Sequence, residues 1–206
     1  MHLPLSGIPI WYNRCERCGL LFTTAFDDWQ VSDYQQAIYN QAYERVDPDY
    51  VSRRAEQNAD MIASMLPGER EVRLMDYGGG NGTLSRLLQA RGLDAHSWDP
   101  MNSEPFPQDE TFSVVTAFEV FEHTPDPHKT LHEALALLEP EGVLLFSTLL
   151  MEQADRRLMD HWYIAPRNGH ITLHTRRSLA HLFAEHGYQV NHLSNSLHLA
   201  KRHHHE

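Results

Sequence analysis

The stretch from Glu71 to Leu88, EVRLMDYGGGNGTLSRLL, restricts this chain more than any other. Val72, Leu74 and Met75 form a short apolar run of the kind that makes a buried parallel strand. Asp76 and Tyr77 close it, and Gly78, Gly79, Gly80, Asn81 and Gly82 follow. Leu84, Leu87 and Leu88 then recur at helical spacing, with Thr83 or Ser85 near the helix start. A strand, a glycine bend and a helix N-terminus together predict a ligand site. Glycine lets the backbone turn sharply and lets a ligand approach without meeting a Cβ. In open α/β sheets such sites lie beyond the carboxyl ends of the strands.

The spacing excludes two common occupants. A dinucleotide fingerprint needs G-x-G-x-x-G, and from Gly78 and Gly80 its third glycine falls on Thr83. A phosphate loop needs a lysine after its last glycine, and none follows here. What stands in the chain is acid-x-G-x-G-x-G: Asp76, Gly78, Gly80 and Gly82. A second acid, Asp99, closes the predicted strand LDAHSW and precedes Pro100. A carboxylate there can accept both hydroxyls of a ribose. Further along, the buried strand FSVVTAF ends at Phe118 and runs into Glu119-Val120-Phe121-Glu122-His123, an E-x-x-E-H pattern before a proline turn. A helix over about His128 to Leu138, the turn Glu139-Pro140-Glu141-Gly142 and a strand VLLFSTL come next.

This series resembles the class I S-adenosylmethionine-dependent methyltransferases, across more than half the chain. The resemblance implies an α/β, Rossmann-like, mostly parallel sheet with helices on both faces and an N-terminal helical lid. It implies S-adenosylmethionine as cofactor, with Asp76, Gly78, Gly80, Gly82, Asp99, Pro100, Phe118 and Glu119 around it. It implies methyl transfer to a small or medium-sized acceptor. His123, just past a strand end and with a pKa suited to neutral pH, is the expected general base. One departure is visible. Only Met101 to Thr111 separate Asp99-Pro100 from the next strand, too few for the family's third strand and its helix. The expectation is therefore a sheet without strand 3, Met101 or Phe106 over the adenine, and no acid assigned to the adenine amine.

The flanks carry weaker signals. Residues 1–26 form a separate N-terminal segment, and 27–206 the methyltransferase domain. Cys15 and Cys18, in C-x-x-C-G, have the shape of half a zinc knuckle. Structural zinc takes four ligands, and only His2 and distant histidines could join them. Helices are expected over about Asp27 to Pro67, broken at Asp47-Pro48, with Tyr39, Tyr43 and Arg53 as acceptor-side residues or plain core and surface. After the fifth strand, Trp162, Tyr163, Arg167, His170 and His174 lie in a loop at the carboxyl edge, where specificity is carried in such folds. His128 and His132 stand i, i+4, but the apolar face of their helix turns them to solvent, and no metal is assigned there. A helix over Ser178 to His186 and an antiparallel strand pair complete the expectation.

Composition narrows the partners. The 206 residues are 41% hydrophobic and 22% charged, with no membrane-length apolar run. A net charge of −11 argues against nucleic acid, which demands a basic face. No secretion leader is read, and two cysteines do not make a disulfide framework, so a cytoplasmic location is expected. The terminal KRHHHE is set aside. Two other classes fit less well: a nicotinamide-dependent oxidoreductase, which lacks its third glycine, and a non-catalytic scaffold that keeps only cofactor binding.

Overall fold

The computed structural model describes residues 8–40, 43, 53–66, 72–102, 104–152 and 158–203. The expected break at Asp47-Pro48, Pro67-Gly68 and His2 lie outside them. The elements are β1 (Asn13–Arg14), β2 (Leu21–Phe22), α1 (Val31–Ala37), α2 (Arg53–Met65), β3 (Arg73–Tyr77), α3 (Thr83–Ala90), β4 (Asp94–Trp98), β5 (Phe112–Phe118), α4 (Pro127–Ala136), β6 (Leu138–Ser147), β7 (Thr172–Leu173), α5 (Arg176–Glu185), β8 (Tyr188–His192) and β9 (Leu197–Arg202).

The main sheet runs β4-β3-β5-β6-β9-β8. Its first four strands are parallel, and β9 and β8 are antiparallel to their neighbours. Nothing in the described chain adds a strand outside β4, as the short spacing after Asp99 predicts. Side chains alternate across the sheet. Leu74, Val114 and Leu145 pack on one face with Ala59 and Ile62 of α2 and Leu84 and Leu88 of α3. Met75, Tyr77, Val115, Ala117, Leu144 and Phe146 pack on the other with Leu131 and Ala134 of α4 and Leu179, Leu182 and Phe183 of α5. Phe146 stacks on Phe183 at 5.0 Å, and both meet Phe121. Burying each such side chain contributes roughly 1.5–3 kcal/mol. Among the described residues no helix is long and apolar enough to cross a membrane.

Local chemistry sets the helix ends. Asp126 caps α4 by accepting the Lys129 N–H at 3.0 Å, with Pro127 in the first turn, where its missing N–H costs nothing. Thr175 and Ser178 cap α5 reciprocally, two residues earlier than the apolar pattern implies, and Gly187 at φ +77° lets the chain turn into β8.

Two boundaries differ from expectation. Glu139 to Gly142 do not form a free turn. They bulge within β6, which pairs with β5 at Phe112–Leu138 and again from Val114–Val143. The N-terminal segment also forms strands that its short apolar runs did not announce. β1 and β2 make a hairpin, and β2 pairs with β7 at Leu21–Leu173 and Phe22–Thr172. The Cys15–Cys18 turn is thereby fastened to the loop that follows β6.

Candidate active site

Parallel β3, β4, β5 and β6 bring Gly78, Asp99, Glu119 and Thr148 to one edge of the sheet. Gly78, Gly80 and Gly82 have φ of +73°, +56° and +72°, a region open to glycine at no steric cost. The absent side chains serve the protein as much as a ligand. A Cβ on Gly78 would lie 2.6 Å from Val120 Cγ2, and one on Gly79 would lie 2.5 Å from Asp76 Oδ2 and collide with Ser97 Oγ. For these two glycines the expected room for a ligand is filled by Val120, Asp76 and Ser97.

The Asp99 carboxylate faces the bend. Oδ2 accepts the Gly80 N–H and Oδ1 the Met101 N–H, both at 2.8 Å. A carboxylate oxygen can accept two hydrogen bonds, so one position on each remains for a sugar hydroxyl. That remaining capacity, next to a backbone bend at a helix N-terminus, fits an adenosyl group. Pro100 is exposed beside it, and Phe106 lies edge-on to Trp98 at 5.1 Å.

Asp76 is buried beneath the bend, with Oδ2 packed against Gly79. Its Oδ1 accepts from Thr116 Oγ1 at 2.8 Å, and burial pushes its carboxyl up to about 7, with Thr116 opposing and the Asp99 charge adding. A raised carboxyl stabilises the fold while protonated, and that contribution is lost as pH rises from about 4 through 7. Asp76→Asn removes the titration. Urea unfolding should show its stability gain over the parent growing by on the order of 4 kcal/mol between about pH 4 and pH 8. An equal difference at both pH values would refute the buried, protonated state.

The end of β5 carries the second half of the site. Glu119 has φ +54°, unusual for a side-chain-bearing residue. Its N–H donates to Ser147 Oγ at 2.9 Å, and that hydroxyl donates to Glu119 Oε1 at 2.8 Å. The half-buried Phe118 precedes it. Phe121–His123 then make a single 3-10 turn. Glu122 is fully buried, Tyr163 Oη donates to its Oε1 at 2.5 Å, and its Oε2 has no partner among the described residues. Burial and the neighbouring Glu119 charge hold Glu122 well above the usual carboxylate range.

His123 ends this turn. Its Nδ1 lies 3.0 Å from Tyr39 Oη, and its ring is 4.9 Å from that of His170. Burial first, then His170 and Arg54, hold its pKa well below 6.5, against the pull of the Gly169 carbonyl. The imidazole is therefore neutral at pH 7. Gly169, at φ +82°, has room only for hydrogen, since a Cβ would stand 2.9 Å from His123 Nδ1 and 3.0 Å from Tyr39 Oη. His170 Nδ1 lies 2.8 Å from the Tyr163 carbonyl, an acceptor only, so Nδ1 carries the proton and Nε2 the lone pair. Glu122, His123 and His170 each offer a ligand atom within 4.8 Å of the others, a set that could hold a divalent cation.

The remaining expected residues divide. Tyr43 is buried edge-on to Tyr39 at 5.1 Å. Tyr163 is a core residue whose hydroxyl serves Glu122 and the Leu149 N–H, while Trp162 beside it is 74% exposed. Arg167 is half-buried on the turn before Gly169. His174 is buried against Phe121 and Ser178 and is not brought to His123. His128 and His132 are exposed over His186. Cys15 and Cys18 gather no further metal-ligating side chain among the described residues. Glu122 and Gly169 escaped the sequence reading; the second acid of E-x-x-E-H was the available signal for Glu122. Tyr163→Phe should cost roughly 1–3 kcal/mol in urea unfolding, because it strips Glu122 Oε1 of its donor. A change within error would show that Glu122 is satisfied otherwise.

A methyltransferase-domain family profile matches residues 50–193, well over half the chain. The chain belongs to this methyltransferase-domain family. Ubiquinone biosynthesis O-methyltransferase of Actinobacillus pleuropneumoniae serotype 7 (strain AP76) is 31% identical, over 44% of this chain and 51% of that protein. The chain thus spans about half the length of the curated relatives it matches. Two solved structures share the fold. One is a 1,6-didemethyltoxoflavin-N1-methyltransferase from Burkholderia thailandensis with bound 1,6-didemethyltoxoflavin and S-adenosylhomocysteine (14% identity, TM-score 0.58, 84% of this chain and 87% of that one). The other is magnesium protoporphyrin IX methyltransferase from Synechocystis PCC 6803 with bound S-adenosylmethionine (14%, 0.50, 86% and 93%). The chain therefore carries a class I methyltransferase domain, and S-adenosylmethionine is its cofactor.

Proposed function

We propose that the protein transfers a methyl group from S-adenosylmethionine to a hydroxyl of a small-molecule acceptor, with His123 as the base. The observation that carries this reading is a neutral imidazole held by Tyr39 just past the end of β5, on the same carboxyl edge of the sheet as the glycine bend and Asp99. The name of the ubiquinone-pathway relative, an O-methyltransferase, supports oxygen as the acceptor atom. A net charge of −11 favours a small molecule over nucleic acid. Two cysteines left as thiols suit the cytoplasm.

When bound, the cofactor supplies a methyl group on a positively charged sulfur, already an electrophile. The chain's own tasks are then holding and proton removal. Asp99 and the Gly80 region hold the ribose. Glu119 and Phe118 line the methionine end. Tyr39 fixes the His123 ring, whose lone pair takes the acceptor's hydroxyl proton. Glu122, kept protonated, adds no second negative charge near that proton.

Calorimetric titration with S-adenosylhomocysteine and with NADH tests the cofactor, and a panel of small phenols and catechols with labelled S-adenosylmethionine tests the transfer. Heat with S-adenosylhomocysteine alone and label on a hydroxyl are expected. Tight NADH binding without S-adenosylhomocysteine would reverse the assignment to an oxidoreductase. Cofactor binding with no transfer to any panel member would point to a scaffold.

A further inference from the structure

The chain's two cysteines play no part in the methyl-transfer site, yet they share one built turn. At the tip of the β1–β2 hairpin the Cys15 N–H donates to the Leu20 carbonyl and the Gly19 N–H to the Cys15 carbonyl, both at 2.8 Å. Gly19, at φ +78°, returns Cys18 beside Cys15. The tip rests on the N-terminus of α5, where Thr175 Oγ1 donates to the Cys18 carbonyl at 2.6 Å. The backbone N–H groups of Cys18 and Arg17 draw the Cys15 thiol below its ordinary pKa, while burial raises that of Cys18 against the opposing N–H of Leu20. Both residues are partly exposed. They open on a cavity of about 670 Å³ lined by Arg14, Arg17 and Arg177, with Glu16 and Glu152 as its carboxylates. Glu152 is engaged by the Arg176 N–H at 2.7 Å.

We propose that Cys15 and Cys18 form a redox-active dithiol that reduces anionic low-molecular-weight disulfides, with Cys15 as the attacking and Cys18 as the resolving sulfur. Backbone N–H groups and the Cys18 S–H favour the Cys15 thiolate, while burial raises Cys18 and keeps its proton in place. The Cys15 thiolate attacks one sulfur of the disulfide RS–SR, forms a mixed disulfide and expels RS⁻. Cys18, losing its proton, attacks Cys15 Sγ and expels the second RS⁻. The protein loses two protons and two electrons, and the small disulfide takes them up to become two thiols. The arginines supply the positive field that a carboxylate-bearing disulfide needs. A metal reading is weaker, because a closed thiolate site takes four ligands and the described residues supply two.

The test uses the full chain, reduced and freed of metal with a chelator. Oxidised glutathione, a carboxylate-bearing disulfide, is compared with cystamine, a cationic one, and thiols are followed by alkylation and intact-mass spectrometry. The expected product is a monomer lighter by two hydrogens, formed about tenfold or more faster with oxidised glutathione than with cystamine. Cys18→Ser should accumulate a glutathione adduct on Cys15, and Arg177→Gln should erase most of the preference between reagents. Three results would overturn the proposal. One is cross-linked dimers in place of the intramolecular disulfide. Another is an adduct in Cys15→Ser as fast as in Cys18→Ser. The third is protein purified with one zinc per chain whose thiols oxidise only after the metal is removed.

Discussion

His123→Gln is expected to slow methyl transfer by roughly 100- to 10,000-fold while leaving S-adenosylhomocysteine affinity within about twofold. The reason is positional and electrostatic. The imidazole sits past the end of β5, held by Tyr39 and backed by His170. Glutamine keeps a polar group there but has no basic lone pair. The pH profile follows with a definite sign. A base works deprotonated, and burial with His170 lowers the His123 pKa from 6.5. Activity should therefore persist as pH falls through 6.5 and fail only well below it. The same shift makes the unfolded chain the better proton binder below 6.5, so this histidine withdraws stability as pH falls from there through its folded value. Rates measured between about pH 5 and pH 8 decide the matter. An acid limb at or above 6.5, or an unimpaired glutamine variant, would remove His123 from catalysis.

Asp99→Ala is expected to weaken S-adenosylhomocysteine binding by roughly 10- to 150-fold, the equivalent of one lost charge-assisted hydrogen bond at about 1.5–3 kcal/mol. The carboxylate has two duties. It fixes the bend through the Gly80 and Met101 N–H groups, and it presents its remaining acceptor positions outward. Asp99→Asn tests the charge and the second acceptor oxygen, since the amide keeps one acceptor oxygen and its NH2 cannot accept the other backbone N–H. Calorimetry of both variants, alongside thermal unfolding, reads binding apart from folding. Wild-type affinity in a folded Asp99→Ala protein would show that the sugar is held elsewhere.

Much of this arrangement is local and so was readable in advance. A run of Val72, Leu74 and Met75 ending in an acid and alternate glycines turns most readily at Gly78–Gly82, because side chains disfavour φ near +70°. The short interval after Asp99 has no room for a helix and a strand, so among the described residues the sheet stops at β4. Neighbouring residues, by contrast, met different fates that no pattern announces. Trp162 faces solvent and Tyr163 lies in the core against Glu122.

Chain chemistry alone therefore determined the strand–bend–helix unit, the placing of Asp99 and His123 at strand ends, and the acidic, helix-and-strand character of the molecule. Tertiary structure decided which side chains meet. It set Val120 against Gly78, Gly169 and His170 against His123, and the Cys15–Cys18 hairpin on the cap of α5. Backbone preference acts over a few residues, whereas these meetings join segments far apart in sequence. They exist only because packing the two faces of one sheet leaves those segments no other place to lie.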